Sequence, residues 1–302
     1  MTAYGLTVEH LQVNIVDKPE VKPGHLLIHV KAAALNPIDQ VLAQGYIKFF
    51  PTPFTLGCDM AGVVEAVGSG VLDFEVGDKV CGFTGFGENT GTLAEYCLVP
   101  EELVMRKPDA FSFGEASTIG LASLTAVVGI FKANNLPLPS RSTISNLPQP
   151  WYCLVWGASG SVGSMAVQLA KAAGFVVIGV CSPHNFQLVH SLGAKHVIDR
   201  AAPDAVEQIK RFSEGRLRLA FDAVASKETT EKSCQALSTS LDVTYSAVLH
   251  PEIPVPEHIH LHEIVVFKEF RDSLPYLAKA TAELSMLLAS GSVSLCLPVV
   301  FP

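Results

Sequence analysis

The sequence predicts an α/β protein in which a doubly wound parallel sheet adjoins a smaller β-rich domain. Three observations predict it. From Tyr152 onward, short apolar runs alternate with helical patterns. One strand–helix–strand unit, Tyr152 to Cys181, carries a glycine turn between its first strand and its helix. Earlier in the chain, short strands are separated by glycine turns, the pattern of a small barrel-like domain. At 302 residues the chain can hold two cores.

The β-rich half begins clearly at Lys22-Pro23-Gly24, a turn that leads into the apolar run Leu26 to Val30. Asn36 precedes Pro37, so its backbone is biased to extended and begins a loop or helix. Gly57 to Gly68 is a valine-rich strand bounded by glycines, Phe74 to Val80 is a turn entering a strand, and Gly91 to Pro100 reads as a further strand. The longest uncharged apolar stretch, Ala116 to Phe131, contains Ser117, Thr118, Ser123 and Thr125. It reads as a buried helix and not as a membrane span.

Tyr152 to Trp156 is a run of five bulky residues, the mark of a strand buried on both faces. Gly157-Ala158-Ser159-Gly160-Ser161-Val162-Gly163 follows, and then apolar positions Val162, Met165, Ala166, Leu169, Ala170 and Ala173 at helical spacing. Phe175 to Cys181 is the next strand. This is the frame of a dinucleotide fingerprint, with Ala158 in the place of its first glycine. Gly160 lets backbone approach a pyrophosphate, Gly163 lets helix pack on strand, and the helix start offers N–H groups and a favourable dipole.

The end of the second strand selects the cofactor. An NAD site usually has an acid there for the ribose 2′-hydroxyl. No acid occurs from Phe175 to Val197, and Ser182, Pro183, His184 and Asn185 repel no 2′-phosphate, so NADPH is expected. Further elements are expected at Ala205 to Phe212, Leu219 to Val224, Thr229 to Leu237, Val243 to Leu249 and Ile264 to Phe267. Ser273 should cap a last helix with Pro275 in its first turn and Gly291 as its stop.

Composition excludes other classes. Hydrophobic residues are 49% and charged residues 17%, which suits a globular chain with a large core. The net charge is −8 and basic residues are unclustered, so nucleic acid is not an expected partner. His10, Asp17 and Lys18 interrupt any leader-like start, and the seven cysteines form no C-x-x-C. A reduced, cytoplasmic protein without a membrane span is expected.

Asn36-Pro37-Ile38-Asp39, Gly57 to Gly68, Gly77 to Val80, Gly91 to Tyr96, the Gly157 to Gly163 turn and Ser182 to Asn185 occur in one order. In that order they resemble the medium-chain dehydrogenase/reductase superfamily, most closely its zinc-free quinone-oxidoreductase-like branch. Cys181 to Phe186 resembles the fungal trans-acting enoyl reductases that serve polyketide synthases. The resemblance spans roughly residues 5 to 300. It implies a GroES-like catalytic domain over 1–120, a Rossmann NADPH-binding domain over 121–267, and a return to the catalytic domain over 268–302. The active site is expected in the cleft. Members usually continue past the position of Pro302 with a helix and a strand, so the final segment reads as shortened.

The same resemblance implies the site. Asn36, Pro37, Ile38, Asp39 and Gln40 should lie near the nicotinamide, with Thr125 against the cofactor. Gly157, Ser159, Gly160, Ser161, Val162 and Gly163 form the pyrophosphate turn, and Ser182 to Asn185 meet the 2′-phosphate. Arg200 stands where the branch has a tyrosine at the adenosine end, and Ala247 and Val248 face the nicotinamide. Asp39 reads equally as a loop cap. Tyr46 is a candidate proton donor or a packing aromatic. Zinc members carry a ligand cysteine near Asn36 and Gly-His-Glu where this chain has Gly57-Cys58-Asp59, so no metal is expected. The implied chemistry is NADPH-dependent reduction of an activated C=C bond in a free or carrier-bound enoyl substrate, with a polyketide synthase as partner. The alternatives are a quinone or enone reductase, and a redox-silent member guiding a cyclisation or isomerisation. A homodimer is a further expectation.

Overall fold

The computed structural model describes residues 2–7, 12–44, 54–138, 150–265, 268 and 271–294. Two compact units divide the chain. One takes the described residues up to Leu121 together with Ser273–Ala289, and the other takes Ala122–Asp272 and a short stretch from Ser290. Tyr46, and most of the proline-rich linker after Pro137, lie outside the described residues.

The first unit is antiparallel β. Strands β1 (Thr2–Thr7) and β2 (Gln12–Asp17) form a separate ribbon. A five-stranded sheet is built from β3 (His25–Ala34), β4 (Asp59–Val67), β5 (Lys79–Phe83), β6 (Tyr96–Pro100) and β7 (Val104–Arg106), ordered β6-β3-β4-β5-β7. Leu26, Ile28, Val64, Val80 and Val99 fill its interior. Helix α1 (Pro37–Ala43) leaves the end of β3, as the Asn36-Pro37 step predicts: Asn36 is extended at φ −121° and Pro37 opens the helix. The antiparallel pairing of β3 with β4 sets Ala34 opposite Asp59, which brings the Asn36 loop to the start of β4.

The apolar stretch after Ser112 forms α2 (Phe113–Ala116) and α3 (Gly120–Ile130). Phe113–Asn134 is long and apolar enough to cross a membrane, and 89% of its most apolar window is buried inside the protein. That burial makes it a core element.

The second unit is a six-stranded parallel sheet in the order β10-β9-β8-β11-β12-β13. Strand β8 (Tyr152–Trp156) is buried throughout, as its unbroken apolar run requires. Helix α4 (Ser161–Ala172) links it to β9 (Val176–Cys181), α5 (Phe186–Ser191) leads to β10 (His196–Asp199), and α6 (Ala205–Phe212) to β11 (Leu217–Asp222). Helix α7 (Lys227–Ala236) leads to β12 (Val243–Ala247). The sheet order reverses at β8, so the carboxyl ends of β8 and its neighbours border the crevice where such sheets bind ligands.

One expected element is misplaced. The last strand is β13 (Ile259–Glu263), not Ile264 to Phe267. Among the described residues it pairs with β12 alone, and a strand at such an edge can alternate His260 and His262 with Ile259 and Leu261. Residues 264 and 265 follow it as loop, and 266 and 267 lie outside the described residues. Helix α8 (Leu274–Ala289) follows Ser273 with Pro275 in its first turn and buries Leu277, Ala280, Leu284, Leu287 and Leu288. Gly291, at φ +68°, follows its end. Within the first unit α8 packs on β7 and the turn before it.

Candidate active site

The glycine turn sits at the carboxyl end of β8. Gly157 has φ +68°, a conformation that favours glycine. A Cβ on Gly163 would overlap the carbonyl of Gly157, so only glycine lets α4 approach the strand this closely. Gly160 differs. Its φ is −77°, and a Cβ there would meet only the Gly157 carbonyl oxygen, at 3.3 Å. Gly160 and Ser161 are exposed. The N–H groups of Ser161, Val162 and Gly163 are those a helix start leaves without an intrahelical acceptor. An exposed helix start with the positive end of its dipole fits a dinucleotide pyrophosphate.

The second strand delivers Ser182 to Asn185 beside this turn. Pro183–Asn185 form a single helical turn that follows the extended Ser182, with His184 exposed. The Asn185 amide donates to the Ser159 hydroxyl at 3.0 Å and ties the two turns together. Arg200, at the end of the neighbouring β10, donates its backbone N–H to the Cys181 carbonyl at 3.0 Å and leaves its side chain exposed. Hydroxyl, imidazole, amide and guanidinium groups are thus gathered at the carboxyl ends of β9 and β10. Asp199 is an acid at the same edge, and its carboxylate accepts from the Ala201 N–H at 3.0 Å. Ala247 ends β12 buried, and Val248 follows it half-buried. Thr125 lies on α3 and is 4% exposed.

The first unit carries the Asn36 loop. Asp39 is buried and accepts from the Asn36 N–H at 2.8 Å and from the Gly57 N–H at 3.1 Å. Gly57 has φ +91°, and a Cβ there would overlap the Thr92 hydroxyl. Both Asp39 oxygens are therefore committed to backbone, and the loop-cap reading describes its geometry. Burial raises its carboxyl above the ordinary value, against those two bonds. Pro37 and Gln40 are exposed and Ile38 is half-buried.

Asp59, weighed in the sequence only for a metal role, joins this cluster. It is 1% exposed. One oxygen accepts from the Leu121 N–H at the start of α3, at 2.7 Å, and the other from the Asn36 amide at 3.0 Å. A Cβ on Gly120 would overlap its carboxylate, so glycine opens the helix there. Burial pushes the Asp59 carboxyl up to about 7; its two hydrogen bonds oppose that and Asp39 adds to it. The same burial and the two carboxylates drive the Cys58 thiol well above its ordinary value. Cys58 is thus neither a ready thiolate nor a nucleophile. Among the described residues no group of three or more His, Cys, Asp and Glu side chains could hold a metal ion.

A second buried network also escaped the sequence reading. At the end of β11, Asp222 is fully buried and accepts the Tyr245 hydroxyl at 2.7 Å. Its residues lie 23 apart and meet only because β11 pairs with β12.

Two family profiles and several known proteins match the chain. The profile of the alcohol dehydrogenase GroES-like domain matches residues 22–109, and that of the zinc-binding dehydrogenase family matches 161–284. The trans-enoyl reductase RAP2 of Pyricularia oryzae is 39% identical over 211 residues, 68% of this chain and 58% of that protein. The trans-enoyl reductase TOXD of Cochliobolus carbonum is 33% identical over 240 residues, 78% of each chain. The crystal structure of CurK enoyl reductase superimposes with a TM-score of 0.81 at 23% identity, covering 100% of this chain and 92% of that one. That structural likeness speaks for the fold. The chain spans less than two thirds of RAP2 and more than three quarters of TOXD.

Proposed function

The chain belongs to the medium-chain dehydrogenase/reductase superfamily, beside the fungal trans-enoyl reductases, and from that premise we propose that it reduces an activated C=C bond with NADPH. The observation that carries the reading is the exposed helix start at Gly160, tied through Ser159 and Asn185 to a turn after β9 that carries no acid of its own, while Asp199 at the end of β10 is engaged by the Ala201 N–H. NADPH, when bound, supplies a hydride. Ser161, Val162 and Gly163 would hold its pyrophosphate through backbone N–H groups. Ser182, His184 and Asn185 would take its 2′-phosphate, and Arg200 would pair with that phosphate or stack on adenine. Val248 and Ala247 would set one side of the nicotinamide position.

In the first unit, Asp39 and Asp59 hold Asn36, the loop residue that the family resemblance places nearest the chemistry. The Asn36 amide gives its N–H to Asp59, and that bond fixes which end of the amide is spent. No described carboxylate in this cluster has a free geometry for proton delivery. Asp39 and Asp59 are positioning residues in this reading. We also propose that no zinc takes part. The carboxylate oxygens of Asp39 and Asp59, committed to Asn36, Gly57 and Leu121, support that reading. The substrate proposed is an enoyl thioester, in line with the trans-enoyl reductase names of the relatives, free or on the carrier of a polyketide synthase as the family resemblance implies.

The test is a pair of titrations followed by turnover. NADPH should bind at least about tenfold tighter than NADH, or ~1.4 kcal/mol. An α,β-unsaturated thioester should then oxidise NADPH at ~1 per second or faster. Oxidation by a quinone and not by the thioester would move the protein to the quinone reductases. Binding without oxidation by either would contradict a reductase.

A further inference from the structure

Tyr245 belongs neither to the glycine turn nor to the Asn36 cluster. It is fully buried, on β12, in the core cluster that also holds Trp156 and Ala247. Its hydroxyl donates to one Asp222 oxygen at 2.7 Å and lies 2.9 Å from the Thr230 hydroxyl. The other Asp222 oxygen accepts from the N–H groups of Val224 and Ala225, at 2.9 and 2.8 Å. Ala225 has φ +55°, an uncommon conformation for a residue with a side chain. A buried carboxylate taking two successive N–H groups holds such a turn.

This turn abuts the glycine turn. A Cβ on Gly157 would meet Val224 Cγ2 at 3.0 Å and Ala223 Cβ at 3.6 Å. The Ala223 N–H donates to the Trp156 carbonyl at 3.2 Å, and the Val248 N–H donates to the Asp222 carbonyl at 3.2 Å. The ends of β8, β11 and β12 are therefore laced together around Asp222. The Tyr245 hydroxyl is the side-chain group that neutral packing would not supply there, since a phenylalanine would fill the same core space.

We propose that Tyr245 is a positioning residue for cofactor binding. Through Asp222 it sets the Ala223–Ala225 turn against Gly157 and so fixes the height of the glycine turn. The inference rests on the reading of that turn as the NADPH site. Its ligand contacts are none: Tyr245 acts through Asp222 and the backbone.

The experiment compares Tyr245→Phe with Thr230→Val by fluorescence titration of NADPH, at a temperature where circular dichroism shows both folded. Each variant removes one partner of the same buried hydroxyl pair, so a general loss of packing would affect both. Tyr245→Phe leaves a buried carboxylate oxygen without its donor and should weaken NADPH binding about tenfold, with Thr230→Val within about twofold of the parent. Equal losses in the two, or a Tyr245→Phe variant that binds like the parent, would overturn the inference. A second measurement needs no variant: NADPH should slow amide hydrogen exchange at Val224 and Ala225 in the parent protein, and unchanged exchange there would also overturn it. Failure of the parent to bind NADPH at all would instead overturn the reading of the glycine turn, and this inference with it.

Discussion

The side-chain amide of Asn185 donates to the hydroxyl of Ser159 at 3.0 Å. Ser159 belongs to the glycine turn after β8, and Asn185 to the helical turn after β9. One hydrogen bond thus sets the spacing between the expected pyrophosphate and 2′-phosphate sites. Asn185→Ala removes it in a half-buried setting, worth about 1 kcal/mol. NADPH affinity should fall about fivefold, with thermal stability within a few degrees of the parent. Unchanged affinity by fluorescence titration would show that the two turns are held apart by something else.

Gly160 and Gly163 make opposite predictions. Gly160→Val keeps an allowed φ of −77° and its Cβ meets only the Gly157 carbonyl oxygen, at 3.3 Å, so the fold should survive a small adjustment while pyrophosphate can no longer approach. Gly163→Ala drives a Cβ into the Gly157 carbonyl, so stability should fall by roughly 1–3 kcal/mol. Urea unfolding and NADPH titration separate the two outcomes. A Gly160→Val protein that binds NADPH like the parent would place the cofactor elsewhere.

Asp59 should shape the pH dependence of stability. Its carboxyl lies at about 7 in the folded protein, raised from an ordinary 3.8 by burial. Between those values the folded chain holds a proton that the unfolded chain has released. The stability from this group is therefore full below about pH 4 and is lost as pH rises to about 7, by up to ~4 kcal/mol, with no further change above that. Asp59→Asn has no such proton. The difference in unfolding free energy between pH 5 and pH 8 should be smaller in the variant than in the parent. Parallel pH profiles would contradict the burial argument.

Metal content gives a further check. Asp39 and Asp59 spend their oxygens on Asn36, Gly57 and Leu121. Protein purified without added metal should hold less than about a tenth of a zinc per chain. One zinc per chain surviving dialysis would contradict the zinc-free reading.

The parts legible in the sequence are those written in local pattern. Tyr152 to Trp156 is one unbroken apolar run, and its strand has those bounds. Ala205 to Phe212 shows the same agreement for a helix, and Ser273-Leu274-Pro275 marks the start of the last one. Strand β13 falls before the expected Ile264 to Phe267 because a strand at the edge of the described sheet, carrying His260 and His262, lacks the continuous apolar run of a buried one. The site divides along the same line. The glycine turn is contiguous and could be read, whereas Asn36 with Asp59 and Asp222 with Tyr245 are each 23 residues apart. They meet only through strand pairing, between β3 and β4 and between β11 and β12. No spacing rule exposes them. Their signal is the buried carboxylate itself, visible once the strands are aligned.

Transfer of hydride to an enoyl thioester is the central claim, and an isotope label tests it most directly. The protein is supplied with NADPH deuterated at the transferable C4 position and with an α,β-unsaturated thioester, and the product is read by mass spectrometry and NMR. Deuterium at the β-carbon of a saturated product, with matching oxidation of the cofactor, is the predicted result. A thioester recovered unsaturated, or converted to a product without deuterium while NADPH persists, would contradict a reductase and leave the fold in the service of a redox-neutral step.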